Sequence, residues 1–197
     1  MRNIYKINDN WTFRRGGDAP ETVTIPHCYN AVDGQDGSKM FRGITTYERN
    51  IEIKGEDLKR AIYLEVGAAS LSSRVFINDK LCHELRCGFS LFRVDITKFL
   101  SEGINSVRIE VSNAVDNTVY PAMADFSFYG GIYRDVNIIM DDDLHFEEVG
   151  KGLDGIYITP AVAGEDGELS ADIFVKRENG YAGEATCELK VIDRAIG

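Results

Sequence analysis

Apolar positions along the chain recur mostly with a period of two, the mark of strands buried on one face. In Thr45-Thr-Tyr-Glu-Arg-Asn-Ile-Glu-Ile53, the residues Tyr47, Ile51 and Ile53 fall on one side. The runs 61–66, 73–77, 92–95, 106–111 and 133–139 have the same strand character. Asn78-Asp79 marks a tight turn, which brings the chain back as a hairpin over 80–84. One stretch, 95–103, looks helical, with Asp95 able to cap its start and Gly103 able to take a left-handed exit. Many short strands parted by turns predict an all-β fold, a sandwich or jelly roll.

The pattern changes around Asp141-Asp-Asp143. The acidic, glycine-containing stretch through Gly155 reads as a domain boundary. Beyond it, 156–162, 169–176 and 186–192 are predicted strands separated by glycine-rich turns. An immunoglobulin-type sandwich needs about seven strands, and three are marginal alone. The chain is therefore expected to stop inside its second domain. That piece is expected to pack on the first domain or on a second copy of the chain.

Composition narrows the function classes. The chain has 197 residues, 44% of them hydrophobic and 27% charged, as in an ordinary soluble globular protein. A catalytic β/α barrel needs about 250 residues, so none fits. Net charge is −10, a balance that repels phosphate backbones and anionic headgroups. Nucleic acid and membrane surfaces are thus poor partners. The first residues lack the apolar core of a secretory signal, and no apolar run approaches the roughly 18 residues of a membrane span. With four cysteines and no CxxC, free thiols in a reducing cytoplasm are expected.

The densest chemistry lies in Tyr120-Pro-Ala-Met-Ala-Asp-Phe-Ser-Phe-Tyr-Gly-Gly-Ile-Tyr-Arg-Asp-Val136. Asp125 stands among Tyr120, Phe126, Phe128, Tyr129 and Tyr133, beside Gly130-Gly131. A loop carboxylate next to aromatic faces suits a sugar, because the acid accepts from hydroxyls while a ring stacks on C–H faces. The alternative is a strand-end turn that Asp125 caps, with Arg134 and Asp135 as surface charge. A zinc reading of His27, Cys28, Cys82, His83 and Cys87 is disfavoured, since neighbours on a strand point to opposite faces. Buried small side chains and one hydrogen-bonded histidine are expected there, with no metal. No GxSxG, HExxH or P-loop motif occurs. Glu147-Glu148 and Asp141 to Asp143 read as a solvated charged run and do not provide the facing acid pair of a glycosidase.

Four segments in order, Ile25–Gly37, Phe41–Gly43 with Tyr47, Val75–Asn105 and Tyr120–Val136, resemble the N-terminal sugar-binding domain of glycoside hydrolase family 2, which includes β-galactosidases, β-glucuronidases and β-mannosidases. Trp11-Thr-Phe13 resembles the opening W-x-F strand, and Pro26-His27 the PH-x-W turn, with Tyr29 in place of tryptophan. Asn30–Gly37 followed by Phe41-Arg-Gly43 is similar to the bacterial β-galactosidase branch. Ile77-Asn78 resembles V-N-G, with Asp79 in place of the glycine. An asparagine that some β-galactosidases place ahead of that motif is unmatched, the nearest position being Ser70.

The resemblance implies a jelly-roll sugar-binding domain over 1–145 and the first part of an immunoglobulin-like sandwich over 146–197. A catalytic barrel elsewhere would carry the nucleophile and acid/base of retaining hydrolysis. It also implies that Asp125 binds substrate hydroxyls, with Tyr129 stacking on the sugar and no catalytic residue in this chain. His27, Arg42 and Arg134 are expected to be structural. The partners implied are a β-glycoside and the missing barrel, with a homo-oligomer possible and no cofactor evident. The rivals are a stand-alone carbohydrate-binding module and a purely structural β-sandwich.

Overall fold

The structure is a computed structural model that describes residues 2–121, 125–150, 152–164, 166–180 and 182–192. It is the all-β sandwich expected. A six-stranded antiparallel sheet runs in the order Glu21–Val23, Trp11–Arg15, Ile44–Ile53, Gly103–Ser112, Ser72–Ile77, Lys80–Leu85. A four-stranded sheet runs Asn3–Lys6, Val136–Asp141, Ala61–Val66, Phe92–Asp95. The core lies between them. Trp11, Phe13, Tyr47, Ile51, Ile53, Val75, Ile77, Val107 and Ile109 come from one sheet, and Ile62, Leu64, Phe92, Val94, Val136 and Ile138 from the other. Period two holds where a strand has one wet face, as in Gly103–Ser112, and is lost in Ala61–Val66, which is buried throughout. Among the described residues no helix is long and apolar enough to cross a membrane.

The Asn78-Asp79 hairpin forms with both residues at positive φ, 48° and 61°, the left-handed pair that matches strand twist. Asn78 also donates to Asn105 Oδ1 at 2.8 Å and accepts from Ser106 N at 3.0 Å, tying the turn to the neighbouring strand. The helical stretch is one 3₁₀ turn, Thr97–Phe99, with Asp95 Oδ1 accepting from Thr97 N at 3.0 Å and Gly103 at φ 90°.

Three expectations need correction. The strand predicted from Tyr133 begins only at Val136, because Gly131–Ile132 joins a separate three-stranded sheet and Tyr133 turns away to donate to Gly88 O. Thr186–Ile192 is irregular; Leu189, Val191 and Ile192 are exposed, and no described strand takes their backbone hydrogen bonds. The acidic run is solvated only in part, at the exposed Asp142 and Glu147. Asp141 is 1% exposed and accepts both arms of Arg2 at 2.8 Å. Arg2 and Arg93 converge on Asp154 Oδ1 at 2.7 and 2.8 Å, and Arg93 continues to Glu65 at 2.7 Å. Hydrogen bonds from both arginines outweigh burial and hold Asp154 below the usual carboxylate range.

This ion-pair chain fastens the segment after Asp141 to the outer face of the four-stranded sheet. Residues 156–173 form a hairpin, Ile156–Ala163 with Asp166–Ile173, whose Tyr157, Ile158 and Leu169 are exposed. The joint is thus built by 141–154 and by Asn179 of the segment expected to pack there, which donates to Asp143 Oδ1 at 2.7 Å and to Lys59 O.

Glu148 lies in the same joint, beside Tyr63, Asp95, Glu147 and Lys176. Burial, reinforced by Asp95 and Asp154 and opposed by Arg93 and Arg2, pushes its carboxyl up from 4.5 to about 7. Between those values the folded state holds a proton that the unfolded state lacks. Stability therefore falls as pH rises through that window, and the penalty is complete above it. Glu148→Gln is expected to be more stable than the parent at pH 8, and the two should converge toward pH 5. Because the side chain is half exposed, the difference should stay near about 1 kcal/mol. Thermal melts of both proteins across that range check it. His145, held below the usual histidine range by burial, is common to both and cancels.

Candidate sugar-binding site

The site is built on the small sheet whose middle strand, Gly131–Ile132, pairs with His27–Cys28 on one side and Ala69–Ser70 on the other. Gly131 sits at φ 136°, and a Cβ there would lie 2.1 Å from His27 O, so only glycine lets the strands close. At Gly130 a Cβ would lie 2.0 Å from the hydroxyl of Tyr29, whose ring fills that space.

Ahead of this sheet two buried asparagines hold the loop 128–130. Asn30 and Asn113 are both 0% exposed. Asn30 Nδ2 donates to Phe41 O at 3.2 Å and Phe128 O at 3.1 Å. Asn113 Nδ2 donates to the same two carbonyls, at 3.2 and 2.8 Å. Their Oδ1 atoms accept from Gly130 N and Gly43 N, each at 2.9 Å. Both N–H donors of each amide are used, and each amide oxygen accepts a backbone N–H. Arg42 covers the cluster, its guanidinium 4.2 Å from the Phe128 ring and its Nε donating to Asn113 O at 2.9 Å.

The loop so held walls a cavity of about 240 Å³ lined by Cys28, Ser70, Leu71, Phe89, Phe126, Ser127, Phe128, Tyr129, Gly130 and Tyr133. Phe126 and Phe128 pack with ring centroids 5.3 Å apart. Tyr129 is 52% exposed, although it lines the cavity. Asp125 is exposed, just before Phe126, and is not among the lining residues. Tyr120, also expected beside it, is exposed and outside the lining, while residues 122–124 lie outside the described residues. Lys and Arg are absent from the lining, so the wall is apolar and uncharged. Two larger cavities are lined by charged groups that pair with one another, Arg74 with Glu110 in one and Arg15 with Asp33 in the other.

The residues read as structural behave unequally. His27 Nδ1 meets the Tyr47 hydroxyl at 2.9 Å and its ring meets Phe13 edge-on, and burial holds it below the usual histidine range. Arg42 holds the loop as described. Arg134 is exposed, and the strand end is fixed instead by Asp135, which accepts from Asn8 at 2.7 Å and pairs with Lys6 at 2.7 Å. Asp135 is therefore a tie and not loose surface charge. Among the described residues no group of three or more His, Cys, Asp or Glu is placed to hold a metal. His83 stacks on Phe92 and Cys28 turns toward Asn30. Asn30 and Asn113 carried no role in the sequence reading; the usable signal is that an asparagine at a buried strand end must find partners.

A model of the family described as "Glycosyl hydrolases family 2, sugar binding domain" matches residues 6–141. The chain belongs to glycosyl hydrolase family 2. Within the family it is 31% identical to a β-glucuronidase of Bacteroides fragilis over 98% of this chain and 28% of that protein. It is 25% identical to a β-galactosidase of Thermoanaerobacterium thermosulfurigenes, again over 98% of this chain and 28% of that protein. Among solved structures, an FMN-binding β-glucuronidase from Facaelibacterium prausnitzii L2-6 superposes with TM-score 0.79 at 39% identity, covering 89% of this chain and 28% of that one. The family 2 chain thus spans a little over a quarter of these relatives.

Proposed function

We propose that the chain is the amino-terminal, non-catalytic part of a retaining exo-β-glycosidase, with residues 1–145 as the sugar-binding jelly roll and 146–197 as the start of an immunoglobulin-like sandwich. The observation that carries this is the asparagine-held loop 128–130, which places Tyr129 in the lining of an aromatic cavity in a family 2 sugar-binding domain. In this reading Asp125 accepts hydrogen bonds from sugar hydroxyls and Tyr129 stacks on the ring, while in a barrel elsewhere one carboxylate displaces the leaving alcohol, protonated by a second, and water then hydrolyses the covalent glycosyl-enzyme. That chemistry consumes no cofactor.

The sequence resemblance favours a β-galactoside, while the relatives of higher identity are named β-glucuronidases. The uncharged lining supplies no cation for a uronate carboxylate, which supports the galactoside reading for this wall. Comparing turnover of para-nitrophenyl β-D-galactopyranoside and β-D-glucuronide by the whole protein decides between them.

The rival reading, a stand-alone carbohydrate-binding module, separates by calorimetry. Titrating the 197-residue chain with galactose and with glucuronic acid should give no saturable heat at millimolar sugar, because one wall of a pocket is present. A saturable isotherm below about 1 mM, a free energy beyond about −4 kcal/mol, would favour the module.

A further inference from the structure

We propose that Asn30 and Asn113 are positioning residues for the sugar contact, a reading that rests on the role proposed for Asp125 and Tyr129. The two side chains come from places 83 residues apart, the turn after His27–Cys28 and the end of strand Gly103–Ser112. They meet on one pair of carbonyls, Phe41 O and Phe128 O. Each carbonyl receives two N–H donors, and each asparagine oxygen takes one backbone N–H, from Gly130 or Gly43. All four amide N–H donors are spent on the two carbonyls, and each oxygen holds a backbone N–H in return.

The chemistry of this clasp is selective. A rotated amide would set oxygen against two carbonyl oxygens, so one orientation alone satisfies the cluster. Aspartate matches the shape but offers no N–H when ionised, placing a negative charge against both carbonyls. Glutamine carries the donors one methylene too far. A hydrophobic core could support the loop without fixing where it points; the clasp fixes the backbone on both sides of Tyr129, at Phe128 O and Gly130 N. Arg42, laid over Phe128, closes the cluster from outside. Asp125 and Tyr129 are both exposed. Their aim is inherited from the clasped backbone.

The test uses the whole protein carrying Asn113→Asp, Asp125→Ala or both, assayed on para-nitrophenyl β-D-galactopyranoside and β-D-glucuronide. Amide exchange is followed by mass spectrometry over 126–133. Asn113→Asp should speed exchange in that peptide at pH 8, with partial recovery toward pH 5 as the carboxyl regains a proton it can donate. It should lower kcat/KM on the order of 10-fold or more, since small misplacements of a contact are costly. In the Asp125→Ala background the further loss should shrink to within about 3-fold, because coupled residues are not additive. Should Asn113→Asp prevent folding, Arg42→Ala, a change at the rim, should give the same pattern with a smaller loss.

Unchanged exchange over 126–133, or a lower melting point with kcat/KM intact, would overturn the proposal. So would an equal loss in both backgrounds. If Asp125→Ala alone leaves kcat/KM unchanged, the sugar-contact reading fails by itself, and the clasp is then judged on exchange and on the loss caused by Asn113→Asp.

Discussion

Gly131→Ala will destabilise the protein by about 3–5 kcal/mol, the sum of a backbone conformation that an L side chain rarely adopts and an overpacked contact. The new methyl would sit 2.1 Å from His27 O and 3.1 Å from Cys28 Cα, at φ 136°. Neither obstacle is a flexible side chain that can swing aside. Gly131 is paired on both sides, with Cys28 and with Ser70, so moving its strand away from one neighbour drives it into the other. Gly17→Ala is the control, with open space around the added carbon, and should stay within about 0.5 kcal/mol of the parent. Urea denaturation of the three proteins reads both values. A Gly131→Ala protein as stable as the control would mean that the small sheet is not closed as described.

The second large effect is at the joint. Arg2→Met will cost about 2–4 kcal/mol, because it leaves the buried side chain of Asp141 without its arginine partner. The side chain of Asp141 is 2% exposed, against 26% for Arg2, so the penalty falls on the carboxylate. Replacing both residues, Arg2→Met with Asp141→Leu, should recover most of that loss, since no uncompensated charge remains. The comparison separates a needed ion pair from needed packing. If the double variant is as unstable as the single one, the arginine acts through its stem and its second bond to Asp154.

Both effects depend on contacts that join distant parts of the chain, and this explains what the sequence could and could not disclose. Strands 61–66 and 92–95 were legible to the residue, because an apolar run or alternation is a local record of burial. Asn3–Lys6 and Glu21–Val23 carry no such record, since each is a sheet edge with mostly exposed side chains. The acidic residues after Met140 look solvated in one dimension. They become a joint only when Arg2, Arg60 and Arg93 arrive from far upstream.

The candidate site divides in the same way. Phe126, Phe128, Tyr129 and Tyr133 fall within one segment, while Asp125 and Tyr120, grouped with them in the sequence, do not line the cavity. Phe89 and Ser70 of the same cavity, and the asparagines that fix its loop, come from four separate stretches. Their types are ordinary, and only three-dimensional pairing gives them meaning. Gly130-Gly131 reads as a turn in the sequence, whereas Gly131 opens the middle strand of the small sheet. The reason for glycine, a tyrosine hydroxyl at one and a carbonyl at the other, was not readable there.

The central claim is that this family 2 chain touches the sugar without performing the chemistry. The most direct test is kcat/KM of the whole protein and its Asp125→Ala variant on para-nitrophenyl β-D-galactopyranoside and β-D-glucuronide. Loss of a charge-assisted hydrogen bond worth about 1.5–3 kcal/mol predicts a fall of roughly 10- to 150-fold on the preferred glycoside, with melting point unchanged. Equal kcat/KM for the two proteins on every glycoside turned over would contradict it.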